Sequence, residues 1–269
     1  MTTTAPAPGP TAAAIAAHYD ATMYQPVFLD YFGGSQFANF GYWDREDLTQ
    51  KEACQALMDR LFDLYAGHPP ARALDVACGK GASTRALADR FPAAQVHGVN
   101  ISVKQLATAT TVAPGCGLAA MDAVALGFAG ASFDLVVAVE AAFHFQTRER
   151  FFREAWRVLA PGGTLLLTDI LMNREAESTL PFRSAANFLP DPAAYQALLA
   201  RTGFGRIDVL DRTRECWHGC YWNMVRQAHA SFLARRIDRP KLAAYLEKAY
   251  RMVGQVECYL LAAARKEGA

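Results

Sequence analysis

Over residues 71–170, short runs of unbroken apolar residues alternate with stretches of helical pattern. ARALDVA (71–77), QVHGVNI (95–101), GLAAMD (117–122), FDLVVAV (133–139) and TLLLTDI (164–170) read as strands. GASTRALADRF (81–91), the stretch from Val103 and RERFFREAWRVL (148–159) read as helices, the last halted by Pro161-Gly162-Gly163. A strand with one face in water alternates polar and apolar side chains; these do not, so helices must cover both faces. Short connections between unlike elements then require a doubly wound, mainly parallel sheet, an α/β fold. The last hundred residues add a helix at 191–204, a strand at 205–213, helical pattern over 216–250 and a closing strand at 255–266, which makes seven strands. The expected division is a tail at 1–11 and a single domain at 12–269. That domain carries an N-terminal helical cap (12–66), broken at Pro26 and Gly33-Gly34, and a C-terminal helical insertion (214–252).

Composition narrows the class. With 52% hydrophobic and 20% charged residues the chain can bury a large core, and its formal charge of +1 gives no general field for nucleic acid or anionic membrane. No apolar run approaches the roughly 18 residues of a membrane span. The opening MTTTAPAPGPTAAA lacks the basic and apolar regions of a signal peptide. The six cysteines form no CxxC pair, and Cys216-x-His218-x-Cys220 is too compressed for zinc, so reduced thiols, no metal and a cytoplasmic location are expected.

The segment LDVACGKGAST (74–84) carries the best chemical signal. A strand delivers Asp75, the chain turns through Gly79-Lys80-Gly81, and a helix begins. Glycines there let the backbone approach a ligand, although the third glycine of the dinucleotide fingerprint is replaced by Thr84. The next strand ends at Asn100 and the third at Met121-Asp122; SFDLVVAVE and EAWRVLAPGG follow, leading into LLLTDI. In order and spacing, residues 70–170 resemble the class I methyltransferases that use S-adenosylmethionine. The resemblance implies a Rossmann-like sheet and that cofactor, with Asp75, Ala77, Gly79 and Gly81 around its methionine part. It further implies Asn100 and Ile101 at the ribose and adenine edge, and Asp122 with Ala123 at the adenine. Such proteins often carry Gly where Ala77 stands and an acid where Asn100 stands. GVNISVKQL (98–106) and NFGYWDREDLTQKEA (39–53) are also similar to cyclopropane-fatty-acid-synthase-like members. By that similarity Gln105 aids the cofactor, and Asn39 and Tyr42 close over it.

Residues after the fourth strand, EAAFHF (140–145), must face both cofactor and acceptor. Glu140 reads as part of the cofactor shell and as a catalytic carboxylate. His144 reads as a general base, since an ordinary imidazole titrates near neutral pH; the structural alternative is a histidine that caps the loop. The cap holds nine aromatic residues between Tyr19 and Trp43. Tyr24, Phe28, Phe32, Phe145, Phe188, Trp217, Tyr221 and Trp222 are the expected acceptor wall, and aromatic faces also suit a sulfonium. Arg235, Arg236, Arg239 and Lys241 cluster in the insertion, as a solvated face or as a means of steering an anionic group.

The resulting expectation is methyl transfer to a small, largely hydrophobic or aromatic metabolite at oxygen or carbon, with no nucleic-acid or membrane partner and a homodimer as a compatible assembly. Carbon methylation of an alkene-bearing lipid or isoprenoid is one alternative. A non-methylating binder or cyclase is another. A nicotinamide oxidoreductase is disfavoured by the missing glycine and by the PGG turn.

Overall fold

The computed structural model describes residues 11–92 and 94–268. The tail at 1–10 lies outside them, whereas Thr11 belongs to the fold: its hydroxyl caps the first helix by accepting from the Ala14 amide. Three helices open the chain: α1 (Ala12–Thr22), α2 (Pro26–Tyr31) and α3 (Gln50–Phe62). The alternating core comprises β1 (Arg72–Val76), α4 (Ala82–Arg90), β2 (Gln95–Asn100), α5 (Val103–Val112), β3 (Gly117–Ala120), β4 (Phe133–Val139), α6 (Arg148–Val158) and β5 (Leu159–Met172). Then come α7 (Arg174–Thr179), α8 (Pro192–Arg201), β6 (Phe204–Asp211), α9 (Gly219–Leu233), α10 (Arg239–Val253) and β7 (Val256–Lys266).

The seven strands form one sheet in the order β3-β2-β1-β4-β5-β7-β6, parallel except for β7, which runs against both its neighbours. Adjacent residues of each central strand enter opposite cores. Leu74, Val136, Leu165 and Ala262 join Phe151, Phe152 and Tyr195 on one face. Ala73, Val137, Leu166 and Leu261 join Leu57, Leu61 and Leu87 on the other. Burial on both faces is the physical reason the strand sequences lack polar alternation.

Two boundaries differ from the pattern. β5 starts at Leu159 rather than 164, because Leu159 already pairs with Phe133 before the register jumps to Leu135 and Thr164. Pro161-Gly162-Gly163 therefore sits in an irregularity of the strand, with Gly162 at φ +80°, and does not precede it. The helical insertion is not continuous: a π-turn over Arg214–His218 leads into α9, and residues 234–238 separate α9 from α10. Cys216 and Cys220 are buried packing residues there. Among the described residues no helix is long and apolar enough to cross a membrane.

Candidate functional site

Strand order reverses between β1 and β4, and ligands of open α/β sheets settle beyond the carboxyl ends of strands at such a point. A cavity of about 580 Å3 occupies that place, walled by the loops after β1, β2, β3 and β4 and roofed by α1, α2 and residues 36–40.

The loop after β1 owes its path to backbone freedom. Gly79 sits at φ +54°, and a Cβ built on it meets nothing closer than 3.8 Å, so its bare face is open to the cavity. Gly81 sits at φ +91° for another reason: a Cβ there would lie 2.8 Å from the Ala109 Cβ, so only glycine lets α4 approach α5. Ala77 also takes a left-handed φ of +61°, which costs a residue with a side chain on the order of 1 kcal/mol. Asp75 does not reach the cavity. It lies fully buried behind the loop, where Oδ2 accepts from the Ser83 and Thr84 hydroxyls at 2.7 Å each. Burial raises its pKa to about 6 against the pull of those hydroxyls. Asp75 thus braces the start of α4, and Gly81 likewise supports the wall without forming it.

Asn100, Ile101, Gln105, Asp122 and Ala123 all line the cavity, as do Asn39 and Glu140. The Asn100 amide nitrogen donates to Gln105 Oε1 at 2.9 Å, and its oxygen accepts from the Ile101 amide at 3.0 Å. Asp122 Oδ1 accepts from the Val124 amide. Glu140 sits at φ +48°, with Oε1 accepting from Tyr259 Oη at 2.6 Å and from the Phe40 amide at 2.7 Å. Burial lifts its pKa to about 7 despite both donors.

His144 meets α1 at the roof. Its Nδ1 lies 2.8 Å from the Phe182 carbonyl and its Nε2 2.6 Å from Tyr19 Oη. A carbonyl only accepts, so Nδ1 carries the proton and Nε2 accepts from the tyrosine. Burial lowers the His144 pKa to about 4 and raises that of Tyr19 to about 12, so at neutral pH the ring is an uncharged acceptor paired with an intact phenol. The near-neutral pKa expected from sequence is thereby corrected, because the ring has left water for an apolar wall.

The aromatic expectations divide. Phe28, Phe32 and Phe145 face the cavity, joined by Tyr19, Tyr31 and Phe40 of the cap. Tyr24 instead bonds Thr108 and the Lys104 carbonyl on α5. Tyr42 lies beneath the Arg60 guanidinium, and Phe188 beneath that of Arg174. Trp217 is buried against the ring of Phe40 and reaches the site only through it. Tyr221 and Trp222 are off the wall as well, because Cys220 and Met224 are the α9 residues that turn inward; Trp222 is 58% exposed. Sequence reasoning also missed Lys80, whose buried ammonium donates to the Met23 carbonyl and is the sole Lys or Arg side chain on the wall among the described residues. Its position inside the glycine turn was the available signal. The pairing of Tyr19 with His144, 125 positions apart, left none.

The wall suits an adenosyl sulfonium. Amide and carboxylate acceptors stand at the ends of β2 and β3, a bare glycine face follows β1 beside them, and aromatic rings of the cap complete the wall. A methyltransferase-domain family profile matches residues 74–167. The chain is 32% identical over 224 residues to the 27-O-demethylrifamycin SV methyltransferase of Amycolatopsis mediterranei, covering 77% of this chain and 80% of that one. The chain belongs to the S-adenosylmethionine-dependent methyltransferases. It is a small-molecule methyltransferase, and S-adenosylmethionine is its cofactor. It is also 27% identical to the (+)-O-methylkolavelool synthase of Herpetosiphon aurantiacus, over 100% of this chain and 99% of that one. Among solved structures, the [4+2]-cyclase SpnF superposes with a TM-score of 0.73 at 22% identity, covering 98% of this methyltransferase and all of the cyclase. At that identity the likeness is one of fold.

Proposed function

We propose that this methyltransferase methylates a hydroxyl group on a neutral, hydrophobic acceptor. The observation that carries the reading is the Tyr19–His144 pair, a phenol donating to a neutral imidazole on a wall to which Phe28, Phe32, Phe143 and Phe145 bring apolar rings. Bound S-adenosylmethionine supplies a methyl group already activated by the positive sulfur. What the chain must add is alignment and exclusion of water, for which effective molarity gives at best about 7–11 kcal/mol. Asn100, Ile101, Asp122 and Ala123 would hold the adenosyl part, and Ala77, Gly79, Gln105, Asn39 and Glu140 the remainder. Phe28, Phe32 and Phe145 would hold the acceptor.

In this reading the acceptor hydroxyl would pass its proton to Tyr19 Oη as its oxygen takes the methyl group, the methyl–sulfur bonding pair staying on the sulfur. The tyrosine proton moves in the same step onto His144 Nε2. The imidazolium keeps its Nδ1 proton on the Phe182 carbonyl, from the segment 171–190 that with the N-terminal cap would form the lid. A low pKa makes His144 a weak resting base, and removing one proton from an alcohol that is losing it anyway asks no more of it. A neutral rather than an anionic acceptor is supported by the wall: Lys80 is already engaged, and Arg235, Arg236, Arg239 and Lys241 stand exposed around the α9–α10 connection, none of them lining the cavity. The two curated relatives named above carry O-methylation in their names.

Carbon methylation is the second reading, favoured by Glu140. A buried carboxylate with a pKa near 7 on the same wall could stabilise a carbocation and then take its proton. Turnover of a panel of hydrophobic alcohols, phenols and alkenes, with mass and NMR analysis of the products, separates the two. His144→Ala should slow O-methylation about 10²–10⁴-fold while binding of S-adenosylhomocysteine is kept. Preference for small polar or anionic acceptors, or an unchanged rate in His144→Ala, would overturn the proposal.

A further inference from the structure

The acid that such proteins often carry at the end of the second strand is an amide here, Asn100, yet a carboxylate does arrive at this turn from elsewhere. Asp20, in the last turn of α1, places Oδ1 2.6 Å from Ser102 Oγ and 2.8 Å from Gln105 Nε2. Ser102 is the N-cap of α5 and its oxygen accepts from the Gln105 amide, so its own proton is free to point at Asp20. Gln105 then bridges onward, its Oε1 accepting from Asn100 Nδ2 at 2.9 Å. Three of these side chains, Asn100, Ser102 and Gln105, are buried, so the relay is largely shielded from water.

The direction of every hydrogen bond in this chain is fixed by its end. Asp20 Oδ1 accepts from both neighbours, so Gln105 turns its NH2 toward Asp20. Its carbonyl oxygen must then face Asn100, which must answer with its own NH2. What remains is Asn100 Oδ1, which takes one bond from the Ile101 amide and keeps a second lone pair. An acceptor in that orientation at the end of β2 suits a ribose hydroxyl. The Ile101 amide and the Gly79 carbonyl, 3.5 Å from Asn100 Nδ2, favour the same orientation from the other end; the carboxylate adds to them by pinning Gln105, the partner of the shorter bond that Asn100 Nδ2 makes.

We propose that Asp20 is a positioning residue for the cofactor, a carboxylate carried by the roof helix that orients Asn100 through Gln105 and so couples closure of α1 to recognition of the ribose. The inference rests on the reading of Asn100 as the ribose acceptor. The surrounding contacts tie the same stretch of roof to α5 and to the loop after β1. Lys104 Nζ donates to the Asp20 carbonyl, Tyr24 Oη to the Lys104 carbonyl, and Lys80 Nζ to the Met23 carbonyl. Coupling is reciprocal: a ligand that needs Asn100 in this orientation must in turn hold α1 down.

Calorimetric titration of the whole protein with S-adenosylhomocysteine tests this in wild type, Asp20→Ala, Asp20→Glu, Asn100→Ala and the Asp20→Ala/Asn100→Ala double variant. Asp20→Ala should weaken binding about tenfold, the scale of one oriented hydrogen bond to a buried polar group. In the Asn100→Ala background the same change should cost less than about twofold, because the residue through which it acts is gone. Asp20→Glu should recover part of the loss. S-Adenosylhomocysteine should slow proteolysis within residues 12–31 in wild type and not in Asp20→Ala. Equal losses in the two backgrounds would mean that Asp20 merely props the fold, and would overturn the relay. An Asn100→Ala protein that binds as tightly as wild type would overturn the ribose reading beneath it, a result distinguishable because Asp20→Ala is scored separately.

Discussion

His144 and Glu140 share one wall, and their proton equilibria oppose each other in a way that a pH titration of stability can expose. Burial lowers His144 from 6.5 to about 4 and raises Glu140 from 4.5 to about 7. Below pH 6.5 the unfolded histidine takes up a proton that the folded one refuses until about pH 4, so stability is lost as the pH falls through that window. Glu140 has the opposite sign: below about pH 7 the folded carboxyl holds a proton that the unfolded one binds only near pH 4.5, so stability is gained on acidification. Each displacement corresponds to about 3 kcal/mol at full extent, and between pH 6.5 and 4.5 the two nearly cancel in the wild-type protein. His144→Gln removes one side of the balance. Its stability relative to wild type should climb by about 3 kcal/mol between pH 7 and pH 4, whatever constant offset the lost contacts impose. Glu140→Gln should fall relative to wild type by a similar amount between pH 7 and pH 4.5. Reversible urea unfolding of the ligand-free protein at half-unit pH steps gives both difference curves. Curves parallel to wild type, differing only by an offset, would refute the argument that these groups are displaced by their burial in the cavity wall.

Arg148→Met should cost about 3–5 kcal/mol in urea unfolding, because it leaves the fully buried Asp169 without its guanidinium partner and takes one of two such partners from the buried Glu177, which keeps Arg183. A stability unchanged or improved would refute the argument that the guanidinium compensates the burial of these carboxylates. Gly81→Ala must open the α4–α5 contact and adopt a left-handed backbone, so a loss of about 1–3 kcal/mol together with weaker S-adenosylhomocysteine binding is expected by thermal melting and calorimetry. Ala77→Gly relieves the φ of +61° and should raise stability by up to about 1 kcal/mol with cofactor affinity intact. A lower melting temperature would count against strain at Ala77.

The sheet and its cofactor loops were legible in the linear pattern because their causes are local. Continuous apolar runs such as FDLVVAV can only be strands covered twice, and glycines at 79 and 81 announce a turn that no larger residue completes. Asn100 and Asp122 stand where strands stop, so a strand boundary already places them on the cavity wall. Asp75 shows the limit of that logic, for the sequence puts it at the strand's carboxyl end but only packing reveals that it points into the base of α4. The acceptor half was far less readable. Trp217, Tyr221 and Trp222 have the composition of a pocket wall, yet the rotation of α9 turns Cys220 and Met224 inward instead. Tyr19 and Asp20 sit in a short helix with no marked amphipathic pattern, and their partners lie 80 to 125 residues away. Local pattern was enough for the scaffold because burial on both faces leaves its mark within each strand's own sequence, and the glycine turns carry their own backbone requirement. The roof over the acceptor was decided only when the chain closed on itself, since hydrogen-bond direction and desolvation at His144, Glu140 and Asn100 depend on what the fold brings opposite them.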